Sequence, residues 1–64
     1  MTGKIKWYHV NKHIGFLVTD RDNREIFVHI DDCVGFTPEA GMPVEFEFGL
    51  DTKGRSKAIR IKRV

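Results

Sequence analysis

Five short runs of β-branched and aromatic residues, separated by clusters of turn residues, are the feature that most constrains the fold of this chain. Such runs are typical of β-strands, and no interval between the turns has room for a long helix. An open sheet of five short strands would leave long exposed edges. The sequence therefore predicts an all-β fold that closes, or nearly closes, into a barrel. The predicted strands are residues 4–10, 14–19, 25–30, 44–49 and 57–64.

Alternation in the fourth and fifth runs predicts their buried faces. In the fourth run, Val44, Phe46 and Phe48 share one face, and glutamates occupy the other. In the fifth run, Ile59 and Ile61 share a face opposite two basic residues. Side chains two positions apart in a strand point to the same side of the sheet. We therefore expect these five apolar side chains to fill the barrel.

The third run predicts both a core face and an exposed face. Ile26, Val28 and Ile30 share the side that suits an aliphatic core. Phe27 and His29 alternate with them and are therefore expected to point outward. An outward phenylalanine beside better core candidates indicates a binding surface rather than a packing role.

Aromatic residues of the first two runs extend this predicted surface. Phe16 shares its face with Ile14 in the second run. In the first run, a regular strand would split Trp7 and Tyr8 between two faces, whereas a bulge would bring both to one, and the sequence leaves this open. Flat rings beside cations suit unstacked bases and their phosphates. The predicted surface contains Trp7, Phe16, Phe27 and His29, with Lys6 and Lys12 at its edge.

The net charge of +2 conceals a basic beginning and end around an acidic middle. Residues 1–19 carry three lysines and no acid, residues 20–52 carry nine acids against two arginines, and residues 53–64 carry six basic residues. If the two ends lie side by side in the fold, they form a basic face that attracts phosphates. The alternative is that the same charges only solvate a terminal strand.

A single cysteine, Cys33, excludes a disulfide within the chain and fits a reducing compartment. The longest apolar stretches are only a few residues, too short to span a membrane as a helix. The apolar fraction of 41% is close to that of folded globular domains. We therefore expect residues 1–64 to form one soluble domain, monomeric and cytoplasmic, with no membrane partner.

The candidates for a metal or catalytic site are His29, Cys33 and the adjacent Asp31 and Asp32. No second cysteine or spaced histidine pair completes the ligand pattern of a zinc site. A barrel of this size offers little enclosed cleft in which a histidine could activate Cys33. We therefore predict no enzyme activity, no metal, no cofactor and no small-molecule substrate.

Two segments resemble the nucleic-acid-binding motifs of cold-shock domains. KHIGFL at 12–17 is similar to the first motif, K-G-F-G-F-[IV], and IFVHI at 26–30 is similar to the second, V-F-V-H-F. TGKIKWY at 2–8, GF at 35–36 and GRSKAIRI at 54–61 resemble further parts of the family pattern. The resemblance thus runs nearly end to end. It implies a five-stranded antiparallel Greek-key barrel of the oligonucleotide-binding (OB) type.

The same resemblance implies sequence-tolerant binding of single-stranded DNA and RNA. Members of the family act as RNA chaperones or as regulators of transcription and translation. Tyr8 takes the place of a binding-surface phenylalanine of the family. The positions that match the binding surface of the family are Lys6, Trp7, Lys12, Phe16, Phe27, His29 and Phe36.

Two departures from the family pattern bear on affinity. Ile14 and Ile30 stand where the motifs have stacking phenylalanines. Because base–aromatic stacking contributes roughly 1–3 kcal/mol per base, weaker binding is expected unless charge compensates. Six basic residues follow position 52, and of these Lys57 and Arg60 are the predicted phosphate contacts.

Two alternatives remain open at this stage. An exposed aromatic patch is also typical of a surface that docks another protein. The second alternative is that residues 1–64 are the nucleic-acid-binding domain of a longer protein. Salt dependence separates the first alternative from strand binding, because phosphate contacts weaken steeply as salt rises and apolar docking does not.

Overall fold

Each of the five predicted runs forms a strand, and the strands close into a barrel. The computed structural model describes all of residues 1–64. The all-β class and the five-stranded barrel predicted from the sequence are confirmed. The elements are β1 (Thr2–His9), β2 (Ile14–Thr19), β3 (Glu25–His29), a 3-10 turn (Ile30–Asp32), β4 (Pro43–Leu50) and β5 (Ser56–Arg63). The one helical element, the 3-10 turn, has three residues, and the structure contains no helix with the length and hydropathy of a membrane span.

The strands follow the order β1-β2-β3-β5-β4 around the barrel, and β4 pairs with β1 to close it. All neighbouring strands are antiparallel except β3 and β5. These two are parallel and share one register pair, Phe27 with Lys57. Closure gives each strand two neighbours. The junction between β3 and β5 is the least extensively paired part of the wall.

The core is made of aliphatic side chains around one buried ring. The predicted inner face of β3 is confirmed at Ile26 and Val28, which are both buried. Ile30 is only half-buried, because β3 ends at His29 and Ile30 begins the 3-10 turn. The eight residues of the core cluster are Ile5, Leu17, Ile26, Val28, Val44, Phe46, Ala58 and Ile61.

The prediction that Phe48 fills the core is wrong. Its ring meets buried Phe46 edge to face at 5.5 Å, but the residue is 44% exposed. The reason is the extent of the neighbouring strand, since β1 pairs with β4 only as far as Glu45. Beyond that point the backbone of Met1 still bonds to the backbone of Phe46, but β1 does not pair with β4 at Phe48.

The prediction that Ile59 shares the buried face of Ile61 is also wrong, and a bulge in β5 explains it. The register shifts by one residue between the Glu45–Lys62 and Glu47–Ile59 pairs. Within the shift, the residue after Ile59 has a φ of 50°, in the left-handed region. An extra residue reverses the alternation of a strand. The alanine before Ile59 is therefore buried, and Ile59 itself is half-buried.

Candidate nucleic-acid interface

A bulge in β1 determines which side of the barrel Trp7 faces. The register of β1 on β2 shifts between Ile5 and Trp7, so Lys6 is the extra residue. Ile5 is buried, whereas Lys6 and Trp7 are both exposed. Tyr8 then turns inward and packs against the core. The bulge therefore presents Trp7 at the surface but keeps Tyr8 beneath it.

Cross-strand pairing aligns three aromatic side chains and one lysine on the outer face of the barrel. Trp7 pairs with Phe16, Phe16 pairs with Phe27, and Phe27 pairs with Lys57. Directly paired residues point to the same side of a sheet and lie within contact distance. The ring centroids of Trp7 and Phe16 are 5.3 Å apart, and those of Phe16 and Phe27 are 5.8 Å apart. We name Trp7, Phe16, Phe27 and Lys57 the aromatic row.

A second row lies next to the first and contains two imidazoles. His9 pairs with Ile14, and Ile14 pairs with His29, so these three side chains form the histidine row. His9 also meets Trp7 edge to face, with ring centroids 6.4 Å apart. His9 is not among the binding residues predicted from the sequence. His9 lies two residues from Trp7, and residues with this spacing share a face of a strand. The sequence left the face of Trp7 open, so the spacing did not place His9 at the surface.

The ring of His29 is fixed by the turn that follows β3. Its Nδ1 accepts a hydrogen bond from the backbone N–H of Asp31 at 3.1 Å, and so caps the 3-10 turn. The carboxylate of Asp31 lies 3.6 Å from the same nitrogen. An accepting Nδ1 implies that Nε2 carries the ring proton. The donor Nε2–H is thereby left free for a ligand.

Acidic side chains hold two of the predicted binding lysines. The Nζ of Lys6 donates to Glu25 at 2.8 Å, and both side chains are half-exposed. The Nζ of Lys57 donates to Asp32 at 3.1 Å in a more enclosed setting. Lys12 lies exposed in the turn between β1 and β2 and makes no ion pair. The charge that these lysines offer to a phosphate is therefore partly engaged within the protein.

A groove of about 330 Å³ runs beside the aromatic row. Ile14, Phe16 and Phe27 form its apolar side. The turn between β4 and β5 forms the other side, where Asp51 accepts the backbone N–H of Arg55 at 2.8 Å and its Nε at 3.0 Å. These contacts, the backbone N–H first among them, hold the pKa of the Asp51 carboxyl below its ordinary value. The groove thus combines an apolar face with a charged, hydrogen-bonded rim.

Five predicted site residues lie apart from the two rows: Tyr8 packs against the core, Lys12 lies in the turn between β1 and β2, and the other three are Arg60, Phe36 and Ile30. Arg60 pairs with Glu47 at 3.3 Å and lines a different cleft, which shares no residue with the groove. Phe36 packs against the core. Ile30 is half-buried in the 3-10 turn. The structure brings together Lys6, Trp7, Ile14, Phe16, Phe27, His29 and Lys57, and it adds His9.

The interior side of the sheet holds a protonated thiol. Burial, and then the charge of Asp32, raise the pKa of Cys33 to about 11. Burial, and then Cys33, raise the pKa of Tyr8 above its ordinary value. The reactive form of cysteine is the thiolate. The Cys33 thiol therefore stays protonated at neutral pH and is a poor nucleophile.

Comparison with known proteins matches the whole chain to one family. The family model of the 'Cold-shock' DNA-binding domain matches residues 1–64. A cold shock-like protein of Aquifex aeolicus (strain VF5) is 40% identical over 63 residues, which cover 92% of this chain and 90% of that protein. The cold shock-like protein CspA of Vibrio cholerae is 36% identical over 61 residues, covering 91% and 87%. Cold shock protein 1 of Arabidopsis thaliana is 33% identical over 63 residues, but these span only 21% of that protein.

Proposed function

This chain belongs to the cold-shock domain family, whose members bind nucleic acids and are not enzymes, and we propose that it binds single-stranded RNA and DNA with little preference for sequence. The cellular roles that fit such binding are those of an RNA chaperone or a regulator of transcription or translation. The observation that carries the proposal is the aromatic row. It supplies three outward rings in contact, with a lysine in register at the end.

The aromatic row favours single strands over duplexes. Every base has a flat face that can stack on an aromatic ring, so stacking tolerates any sequence. In a duplex those faces are already stacked on neighbouring bases. The rings of Trp7 and Phe16 are tilted by 50°, and those of Phe16 and Phe27 by 76°. Neither pair stacks face to face, so ring surface remains for a ligand.

The first prediction concerns the fluorescence of the single tryptophan. Trp7 is 38% exposed at the start of the aromatic row, so we expect an oligothymidine or a pyrimidine-rich RNA to quench its emission as a base stacks on the indole. A duplex of the same length should quench it much less. The measurement is a fluorescence titration at two salt concentrations.

Salt dependence separates strand binding from protein docking. Each phosphate contact on a single strand should change the slope of log K against log salt by roughly 0.7. Binding that tightens as salt falls supports the proposed function. Equal quenching by duplex and single strand, or no quenching by either, would contradict it.

The second prediction uses the isoleucine of the histidine row. Ile14 lines the groove and is half-buried, so Ile14→Phe should add a stacking ring beside Phe16. Isoleucine already provides some apolar contact, and we therefore expect a gain of about 1 kcal/mol, or roughly fivefold in affinity. The titration described above measures this gain.

The matched control is Ile30→Phe, since Ile30 lies outside both rows. It should leave the affinity unchanged, and overpacking at this half-buried position, which costs about 1–3 kcal/mol, is measured as a lower melting temperature. A loss of stability without a gain in affinity at Ile14→Phe would show that Ile14 is a packing residue. In that case the binding surface would be limited to the aromatic row.

A further inference from the structure

The pair between Lys57 and Asp32 is more enclosed than the other lysine and arginine pairs near the site. Their side chains are 24% and 19% exposed, and Nζ lies 3.1 Å from Oδ2. The Lys6–Glu25 pair is half-exposed by comparison. Charges that are partly removed from water attract each other more strongly and are less screened by salt. Asp32 therefore holds Lys57 more firmly than Glu25 holds Lys6.

The position of this pair connects it to the aromatic row. Lys57 pairs with Phe27 at the only register pair between β3 and β5. Asp32 belongs to the 3-10 turn directly after β3. The ion pair thus bridges the same two strands at the end of the row. When a nucleic-acid strand stacks on Phe27, its phosphate would meet Lys57. The ammonium group of Lys57 is already bonded to the Asp32 carboxylate.

We propose that Asp32 is a positioning residue that restrains Lys57 and thereby limits the affinity of the aromatic row for nucleic-acid phosphates. The inference rests on the proposed function. The Lys57 ammonium donates one of its three N–H bonds to Asp32, and the carboxylate partly neutralises the charge that a phosphodiester would meet. The negative charge of Asp32 also opposes a phosphate at that place. Asp32 acts through Lys57 and needs no contact with the ligand.

The variant Asp32→Asn tests this role. Asparagine keeps the size of the side chain and an oxygen that can accept from Lys57, but it removes the charge. We expect the affinity for a single-stranded oligonucleotide to rise about fivefold, because the full charge of Lys57 becomes available to a phosphate. The salt slope should steepen by roughly 0.7, because Lys57 becomes a full phosphate contact.

The neighbouring Asp31 provides a matched control. Asp31→Asn removes the same charge one residue away, but its carboxylate is 88% exposed and faces His29 at 3.6 Å. It should raise the affinity by less than half as much and leave the salt slope unchanged. Compared with Lys57→Gln alone, the double variant Asp32→Asn/Lys57→Gln should show no steeper slope and no larger gain than Asp31→Asn gives. A purely structural role for Asp32 would not move the salt slope through Lys57.

The titration of the unaltered protein separates this inference from the proposed function. If the unaltered protein fails to bind single strands, the proposed function is wrong. If it binds, and Asp32→Asn binds with the same affinity and slope, or Asp31→Asn gains as much, the positioning role is wrong. If Asp32→Asn does not fold, Lys57→Gln alone decides. If Lys57 is restrained, Lys57→Gln should flatten the slope of log K against log salt by less than half of about 0.7. A flattening by the whole of about 0.7 would overturn the proposal.

Discussion

Replacing Phe16 with alanine should cause the largest loss of single-strand affinity of any ring in the interface. Phe16 lies at the centre of the aromatic row, with Trp7 at 5.3 Å on one side and Phe27 at 5.8 Å on the other. Loss of one stacked base costs about 1–3 kcal/mol, or roughly fivefold to 150-fold in affinity. We expect the upper half of that range, because both neighbouring rings also lose their lateral support.

Phe48→Ala is the matched control for this prediction. Phe48 is an exposed phenylalanine elsewhere on the barrel, and its ring contact is with Phe46 rather than with the aromatic row. The control should leave the affinity unchanged. Melting curves of Phe16→Ala should show a folded protein, since Phe16 lies on the outer face of β2. An equal loss of affinity in both variants would mean that binding does not depend on the aromatic row.

Alternation predicted the faces of β3 correctly because that strand is regular. Ile26 and Val28 are buried, while Phe27 and His29 lie on the outer face. Pairing of β2 with β3 continues without a register shift, so Phe16, which pairs with Phe27, lies on the same outer face. A two-residue period is reliable only in such an uninterrupted ladder. The centre of the candidate site could therefore be predicted from the sequence alone.

Bulges are the reason that the same argument failed elsewhere. The extra residue at Lys6 turns Trp7 outward. The irregularity at Arg60 reverses which residues of β5 face the core. Neither position carries a glycine that would mark an unusual backbone. A bulge arises from the pairing of two strands, so one strand's sequence does not specify it. His9 was missed for this reason, because its row is defined only after the bulge in β1.

Charge counted along the sequence did not reveal which charges are paired. The sequence left two interpretations of the basic end open, a face toward phosphates formed with the start of the chain, or charges that only solvate a terminal strand. In the structure, Lys57 joins the aromatic row and bonds to Asp32, whereas Arg60 bonds to Glu47 beside another cleft. Pairing across the barrel brings together residues that are far apart in sequence. The net charge of a segment therefore gives no estimate of the charge that remains for a ligand.

The largest expected effect on stability comes from Phe46→Ala. Phe46 is 1% exposed and is the largest of the fully buried side chains. Removing a buried phenylalanine ring costs about 3–5 kcal/mol. A domain of 64 residues rarely has more than about 3–5 kcal/mol of unfolding free energy from its core. We therefore expect Phe46→Ala to be largely unfolded at 25 °C, as measured by circular dichroism and by a urea titration.

Phe48→Ala tests the same residue type on the same strand and should cost only about 1 kcal/mol, or roughly 4–8 °C in melting temperature. If Phe46→Ala melts close to Phe48→Ala, the barrel does not depend on its central ring.

A ligand offers a separate check on Phe46→Ala, because an oligonucleotide at about 100 times its Kd stabilises the folded state by about 2.7 kcal/mol. Such an excess should restore part of the folded population of Phe46→Ala. The same excess should restore less in Phe16→Ala/Phe46→Ala, because the weakened aromatic row lowers the ratio of oligonucleotide concentration to Kd. Equal recovery in the two variants would mean that the strand binds away from Phe16.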